Sequence, residues 1–204
     1  MDSIIFDVDG TLWDATGDIA RSWNKTVHDV TDKTIVIDRE RLVPELGKPV
    51  PVIFEDLFPE ESEESRKRIM NLCTENELND LIAVCPVLFP DLQETIRTLA
   101  DEYQLFIVSN CQAGYIEAFL QTTGLGRYFV DHLCPGDTNR LKAENIRIIM
   151  EQYNLESPIY VGDTMGDFEA CQVADVPFVF ADYGLGFVPH PWKVIHKLSD
   201  LTEL

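Results

Sequence analysis

The sequence has few basic side chains and lacks a long apolar run. Lys and Arg total 16 against 36 Asp and Glu, which gives a formal net charge of -20. No stretch approaches the ~18 apolar residues that a membrane-spanning helix needs. A negative field of this size repels a nucleic-acid backbone at long range. We therefore expect neither a membrane nor a nucleic acid as partner, and any site for a small anion must supply its own positive potential.

Paired cysteines and histidine clusters are also lacking. The five cysteines never form a C-x-x-C pair, and the four histidines are dispersed. Neither a zinc site nor a Cys/His nucleophile pair is indicated. The first residues, MDSIIFDVDG, lack the basic region and long apolar stretch of a secretory signal. We therefore expect reduced thiols and a cytoplasmic location.

From Asp91 onward, helical patterns alternate with short apolar runs. Five runs are predicted to be strands: Gln104 to Val108, Val130 to Leu133, Pro158 to Val161, Phe178 to Ala181 and an edge strand at Val194-Ile195. Strands that alternate with helices of this length indicate a parallel sheet wound on both faces. The predicted fold class is α/β, with a Rossmann-like parallel sheet as its core.

Between Asp14 and Cys85 the pattern changes, and no convincing strand is predicted. One amphipathic helix begins near Ile19, and residues 62–83 suggest a second, longer one. Prolines punctuate the stretch between them. We therefore expect two units, an α/β core of residues 1–14 and 86–204 and a helical insertion of residues 15–85.

Polar residues stand where three predicted strands end. They are Asp7 and Asp9 after a further apolar strand at Ile4 to Phe6, Ser109-Asn110 after the strand Gln104 to Val108, and Asp163 after the strand Pro158 to Val161. The carboxyl ends of parallel strands meet at one edge of a sheet, where ligands of such folds bind. Asp7 and Asp9, two residues apart, face the same side unless the backbone twists. A pair of carboxylates held this close requires a hard cation such as Mg²⁺ or a shared proton.

Four short motifs in a fixed order resemble the haloacid dehalogenase superfamily of phosphohydrolases. They are DVDGT at Asp7 to Thr11, SN at Ser109-Asn110, Lys142, and GDTMGD at Gly162 to Asp167. The insertion after the first motif resembles the helical C1 cap of that family. A second Gly-Asp-Thr, at Gly136, has no aspartate four residues later, so Asp137 is interpreted as a loop residue.

The resemblance implies a role for each motif residue. Asp7 would be the nucleophile, and Asp9 the acid and base, while Lys142 would offset charge on the phosphoryl group. The implied Mg²⁺ ligands are Asp7, Asp9 through its backbone carbonyl, and Asp163, with Asp167 close by. The implied contacts to substrate are Thr11, Ser109, Asn110 and Lys48.

Asp9 separates the phosphohydrolases from branches of the superfamily that lack a second aspartate in the first motif. The segment YVGDTMGDFEACQVADVPFVFADYGLG is similar to phosphoglycolate phosphatase-like members. The expected activity is hydrolysis of a small phosphorylated metabolite, of the phosphoglycolate or sugar phosphate type. Alternatives are a phosphomutase of the beta-phosphoglucomutase type and a non-catalytic phosphate-binding protein, and both a monomer and a homodimer remain open. Arg21, Asn24 and Lys48 are the polar candidates for substrate contact in the insertion, and the ELGKPV loop is favoured.

Overall fold

A parallel sheet forms the centre of the molecule. The structure is a computed structural model that describes residues 1–31 and 35–204. The strands are β1 (Ser3–Phe6), β2 (Trp13–Asp14), β3 (Val87–Leu88), β4 (Gln104–Val108), β5 (Phe129–Leu133), β6 (Pro158–Gly162), β7 (Phe178–Ala181) and β8 (Lys193–Ile195). Six of them pair in parallel in the order β5-β4-β1-β6-β7-β8. The predicted α/β class with a parallel sheet is confirmed, and β8 is the edge strand.

Some of the helices cover both faces of this sheet, and the first four form the insertion between β2 and β3. They are α1 (Thr16–Val30), α2 (Arg39–Leu42), α3 (Val50–Leu57), α4 (Glu63–Ala83), α5 (Leu92–Ala100), α6 (Tyr115–Thr123), α7 (Pro135–Thr138), α8 (Lys142–Tyr153) and α9 (Met165–Ala174). Ile4 and Phe6 face one apolar cluster, which α5 and α6 also line, and Ile5 faces a second cluster, which α8 and α9 line. This alternation is the two-residue period of a strand. A sheet covered on both faces is the arrangement that the sequence pattern predicts.

The segment between β2 and β3 is helical. α1 and α4 pack against each other through apolar stripes, and Trp23 of α1 lies 4.7 Å, ring centre to ring centre, from Phe54 of α3. Ser62 caps α4 by accepting a hydrogen bond from the Ser65 N–H. Within residues 1–31 and 35–204, the division into a core and a helical cap stays a prediction.

Three short elements, β2, β3 and α7, differ from the sequence prediction. β2 and β3 form a two-residue antiparallel pair, in which Trp13 is opposite Leu88, at the two ends of the insertion. Strands this short have no periodicity to detect. Asp137, interpreted as a loop residue, lies in the single helical turn α7, where Pro135 occupies the first position. None of the helices in the described ranges is both long and apolar enough to cross a membrane.

Candidate active site

The candidate site lies where three adjacent central strands end. Phe6 of β1 pairs with Ile107 of β4 on one side and Val161 of β6 on the other. The residues that follow these strands, Asp7 and Ser109 among them, therefore lie side by side at the carboxyl edge of the sheet. The motifs are far apart in sequence, and the register of the sheet brings them together.

A buried cluster of three carboxylates and one ammonium forms at this edge. Oxygens of Asp7, Asp163 and Asp167 all lie within 4.8 Å of one another. The Nζ of Lys142 donates to Asp7 Oδ1 at 3.0 Å and to Asp167 Oδ1 at 2.5 Å. All four side chains are buried. Lys142 is the first residue of α8, and Asp167 lies in the first turn of α9, so each helix start supplies one charge.

The charges of this cluster shift its pKa values. Burial and the charge of Asp167 raise the pKa of Asp7 to about 6, although the Lys142 ammonium opposes the shift. Burial, together with the charges of Asp167 and Asp7, raises the pKa of Asp163 well above its usual range. Burial by itself would lower the pKa of Lys142, but its two carboxylate partners outweigh burial and raise it. Lys142 therefore stays charged, but its single positive charge is too little to stabilise all three carboxyl groups in their ionised form.

The cluster has the donor set of a site for a hard divalent cation. Three carboxyl groups face one ammonium, so that in their ionised form they leave two negative charges buried at one place, and Mg²⁺ prefers carboxylate oxygens. Asp167 already accepts hydrogen bonds on both oxygens, from Lys142 on Oδ1 and from Thr164 on Oδ2. Asp163 Oδ2 accepts from the Leu185 N–H at 2.7 Å. The residues present can hold a divalent cation, and Asp167 also positions the lysine.

Asp9 is outside this cluster. Its Oδ1 accepts hydrogen bonds from the Tyr115 hydroxyl at 2.7 Å and from the Trp13 Nε1–H at 3.0 Å. Burial and the charge of Asp7 raise the pKa of Asp9 to about 7, although the Tyr115 hydrogen bond opposes the shift. The chain turns after β1, with Gly10 at a φ of +77°, and the two carboxylates therefore do not converge as residues of one straight strand would.

The remaining predicted contact residues are spread around the site. Ser109 donates to Asp7, and Thr11 Oγ1 lies 3.4 Å from Asp163 Oδ1. Asn110 Nδ2 donates to the Gly47 carbonyl at 2.8 Å and so joins β4 to the ELGKPV loop. Lys48, in that loop, lines a cavity of about 30 Å³ beside Asp7.

The other candidates lie away from that cavity. Arg21 pairs with Asp18 on the surface of α1. Asn24 Nδ2 donates to the Ile37 carbonyl and its Oδ1 accepts from the Ile37 N–H, so this side chain holds two segments of the insertion together. Asp137 is exposed and accepts from the Cys134 thiol. Neither Arg21, Asn24 nor Asp137 lines the cavity.

Sequence reasoning missed Glu77, which lines the same cavity from the α4 side. Its Oε2 accepts from Trp23 Nε1 at 2.5 Å, and its Oε1 accepts from Gln112 Nε2 at 3.1 Å. Burial raises the pKa of Glu77 to about 8, although these two hydrogen bonds oppose the shift. A signal was present, because Ile69, Cys73, Glu77 and Leu81 recur every four residues and form one buried stripe.

The family is shown by comparison with known proteins. Residues 4–181 match the model of the haloacid dehalogenase-like hydrolase family. This chain belongs to that family.

Individual relatives match 90% or more of the chain at low identity. A phosphoglycolate phosphatase of Colwellia psychrerythraea is 26% identical over 196 residues, which cover 90% of this chain and 85% of the relative. The pyrophosphatase PpaX of Listeria welshimeri is 28% identical over 214 residues, with coverage of 99% and 95%. These two relatives carry different activities in their names.

Solved structures show the same fold. A protein from Haemophilus somnus, described as a predicted phosphoglycolate phosphatase, superposes with a TM-score of 0.88 at 20% identity, and the match covers 100% of this chain and 97% of that one. CbbY from Rhodobacter sphaeroides, solved in complex with phosphate, superposes with a TM-score of 0.84 at 17% identity over 98% and 96% of the two chains. At these identities the similarity shows the fold alone.

Proposed function

We propose that this protein is a Mg²⁺-dependent phosphomonoester hydrolase that acts on a small phosphorylated metabolite, of the phosphoglycolate or sugar phosphate type, through an aspartyl-phosphate intermediate. The observation that carries the proposal is the buried cluster in which Lys142 contacts both Asp7 and Asp167 beside Asp163. We further propose that residues 15–85 act as a cap over this site and that the enzyme is cytoplasmic.

Asp7 is the proposed nucleophile. Its carboxylate lies at the carboxyl edge of the sheet and accepts hydrogen bonds from Lys142 and Ser109, which orient it. One of its oxygens attacks the phosphorus atom, the bond from phosphorus to the ester oxygen breaks, and the phosphoryl group is transferred to Asp7. Lys142 and Ser109 offset the charge that spreads over the equatorial oxygens in the transition state. Thr11 and Asn110 are further proposed contacts of the substrate.

Asp9 is the proposed acid and base. With a pKa of about 7 it is protonated in part at neutral pH, so it can donate a proton to the leaving alkoxide. The resulting carboxylate then takes a proton from the water that hydrolyses the aspartyl phosphate. Tyr115 and Trp13 hold Asp9 through their hydrogen bonds to Oδ1.

The proposed Mg²⁺ ligands are Asp7, Asp163 and Asp167 with the backbone carbonyl of Asp9. When bound, a divalent cation at these residues neutralises phosphate oxygens and keeps Asp7 ionised. The excess of carboxyl groups over ammonium in the cluster, three to one, supports the proposed requirement for such an ion.

Hydrolysis of p-nitrophenyl phosphate tests the proposal. We expect phosphate release that depends on Mg²⁺ and is abolished by EDTA. Replacing the nucleophile, Asp7→Asn, should lower kcat by roughly 10³-fold or more. The matched control is Asp137→Asn, the same change at the exposed aspartate of the other Gly-Asp-Thr segment, and it should retain full activity. Undiminished turnover in Asp7→Asn would refute the assignment of the nucleophile.

A further inference from the structure

The cavity beside Asp7 has a wall that presents hydrogen-bond acceptors. Glu77 projects into this lining from α4, and both of its oxygens are held in place, by Trp23 and by Gln112. Glu77 makes no ion pair with any residue of the described ranges. A buried carboxylate without a cation is costly, and it is stabilised by any further donor that comes within reach.

Asn110, which also lines the cavity, has an unpaired acceptor. Its Nδ2 is used by the Gly47 carbonyl, while its Oδ1 is inaccessible to solvent and has no hydrogen-bond partner in the described structure. An unpaired buried amide oxygen costs free energy comparable to a lost hydrogen bond. The Asn110 Oδ1 would therefore be stabilised by a hydrogen-bond donor whether or not Glu77 is protonated.

The charges of the cavity lining also favour a hydrogen-bond donor over an anion. The described lining residues include three carboxylates, Asp7, Asp9 and Glu77, and a single basic side chain, Lys48. The Nζ of Lys48 is already paired, with Glu45 at 2.7 Å and with Asp56 at 2.8 Å. Lys48 is therefore compensated by its own loop, and an incoming anion beyond the phosphoryl group has little positive charge to meet.

From this arrangement we infer that the site selects phosphate esters whose alcohol part carries a hydrogen-bond donor, either a hydroxyl or an ammonium group. Esters whose alcohol part carries a carboxylate are rejected. Glu77 is the residue that determines this specificity. The inference rests on the proposed phosphatase activity and narrows its substrate class. It excludes phosphoglycolate, although relatives at 22–28% identity carry that name.

The raised pKa of Glu77, about 8, is consistent with this selection. This pKa is raised mainly because the carboxyl group has lost its hydrogen bonds to solvent. A donor group on the substrate would replace some of those hydrogen bonds. A substrate carboxylate would instead add a fourth carboxyl group to a cavity that already holds three.

Three two-carbon esters that differ in one terminal group test the inference on the wild-type protein. They are phosphoglycolate, 2-hydroxyethyl phosphate and O-phosphoethanolamine, which end in a carboxylate, a hydroxyl and an ammonium group. We expect kcat/KM for each of the latter two to exceed that for phosphoglycolate by on the order of tenfold or more. A further advantage of the ammonium ester over the hydroxyl ester would assign the selection to charge, and equal rates would assign it to hydrogen bonding.

Glu77→Gln, assayed at about pH 9, above the pKa of Glu77, tests the residue itself, because there it removes the charge and keeps the shape. We expect it to raise the ratio of kcat/KM for phosphoglycolate to that for O-phosphoethanolamine by on the order of tenfold. Glu75→Gln, the same change at an exposed position of α4, should leave the ratio unchanged. Circular dichroism establishes that both variants are folded. If Glu77→Gln does not fold, the wild-type comparison decides.

The outcomes separate this inference from the proposed function. Phosphoglycolate hydrolysis that equals or exceeds that of the other two esters overturns the inference and leaves the phosphatase standing. The inference is also overturned, and the proposed phosphatase activity stands, if p-nitrophenyl phosphate is hydrolysed while none of the three esters is. A ratio that is unchanged in Glu77→Gln has the same meaning. Absence of phosphate release from p-nitrophenyl phosphate and from all three esters removes the proposed function itself.

Discussion

Lys142 is the residue on which the charge balance of the site depends. It compensates Asp7 and Asp167 from within 3.0 Å, and all three side chains are buried. In Lys142→Met both carboxylates lose their ion-pair partner, and we expect the free energy of unfolding in EDTA to fall by about 3 kcal/mol. A divalent cation would restore part of the positive charge. The increase in melting temperature on addition of Mg²⁺ should therefore be larger in the variant than in the wild type.

The control for this prediction is Lys25→Met, which removes a lysine from the exposed surface of α1. Its free energy of unfolding should change by less than about 0.5 kcal/mol in either condition. Equal Mg²⁺-induced shifts in wild type and Lys142→Met would show that Lys142 does not share its carboxylates with the cation.

The raised pKa of Glu77 predicts that the free energy of unfolding depends on pH. Its pKa is about 8 in the folded protein and 4.5 as the reference for an exposed glutamate. Between these values the folded protein retains a proton that the unfolded chain has lost, so the contribution of Glu77 to stability is fully present below pH 4.5 and is lost as the pH rises to about 8. In Glu77→Gln this loss is absent.

Urea unfolding at several pH values measures the effect. The difference in unfolding free energy, Glu77→Gln minus wild type, should increase with pH by up to about 1.4 kcal/mol per unit between pH 5 and pH 8. Glu75→Gln supplies the baseline, because that side chain is exposed on the same helix. A difference that stays constant over this range would contradict the buried, protonated state of Glu77.

At the scale of elements, the turn after β1 determines where Asp163 lies. Gly10 has a φ of +77°, and a Cβ there would overlap the Asp163 carboxylate. Gly10→Ala should therefore lower the free energy of unfolding by about 2 kcal/mol or more and weaken Mg²⁺ binding by roughly tenfold or more, as Asp163 is displaced. Chemical denaturation and titration calorimetry measure the two effects.

Gly17→Ala is the matched control for this turn. Gly17 lies in the first turn of α1, and a Cβ there would meet no atom within 4 Å. Because alanine favours a helix more than glycine does, this variant should gain up to about 1 kcal/mol and bind Mg²⁺ as the wild type does. Similar losses in both variants would mean that the Gly10 turn has no special relation to the site.

Most of the long elements were predictable from the sequence because their patterns are local. The run from Gln104 to Val108 and the run from Phe178 to Ala181 have the same bounds in the sequence prediction and in the structure. Apolar runs of this length between helical patterns indicate buried strands. The short elements β2, α2 and α7 were not predicted, because two to four residues are too few to show a periodic apolar pattern.

The candidate site was predictable only in part, because its motifs are local and its packing is not. Asp7, Lys142 and Asp163 stand at strand ends and a helix start that the sequence shows. The hydrogen bond from Tyr115 to Asp9 joins residues 106 positions apart, and nothing local indicates it. Which side chains fill the space beside a strand end depends on how the helices pack over it.

At the scale of the whole molecule, the net charge of -20 opposes the approach of an anionic substrate. Added monovalent salt screens this repulsion, since the Debye length falls as the ionic strength rises. We expect kcat/KM for p-nitrophenyl phosphate to rise about twofold or more between 20 and 200 mM NaCl at fixed Mg²⁺. The value of kcat, which describes bound substrate, should change little. A fall in kcat/KM over this range would show that local positive charge dominates the approach.

The position of β1 in the middle of the sheet also affects how the protein is made. Phe6 pairs with Ile107 and with Val161, so β1 pairs with partners that are synthesised much later than β1 itself. At usual translation rates the wait for β6 is roughly ten to thirty seconds. During that time four residues that end up fully buried, Ser3 to Phe6, are without their neighbours in the sheet. We therefore expect the central sheet to form only after β6 has been synthesised, and nascent chains to depend until then on chaperones that shield apolar segments.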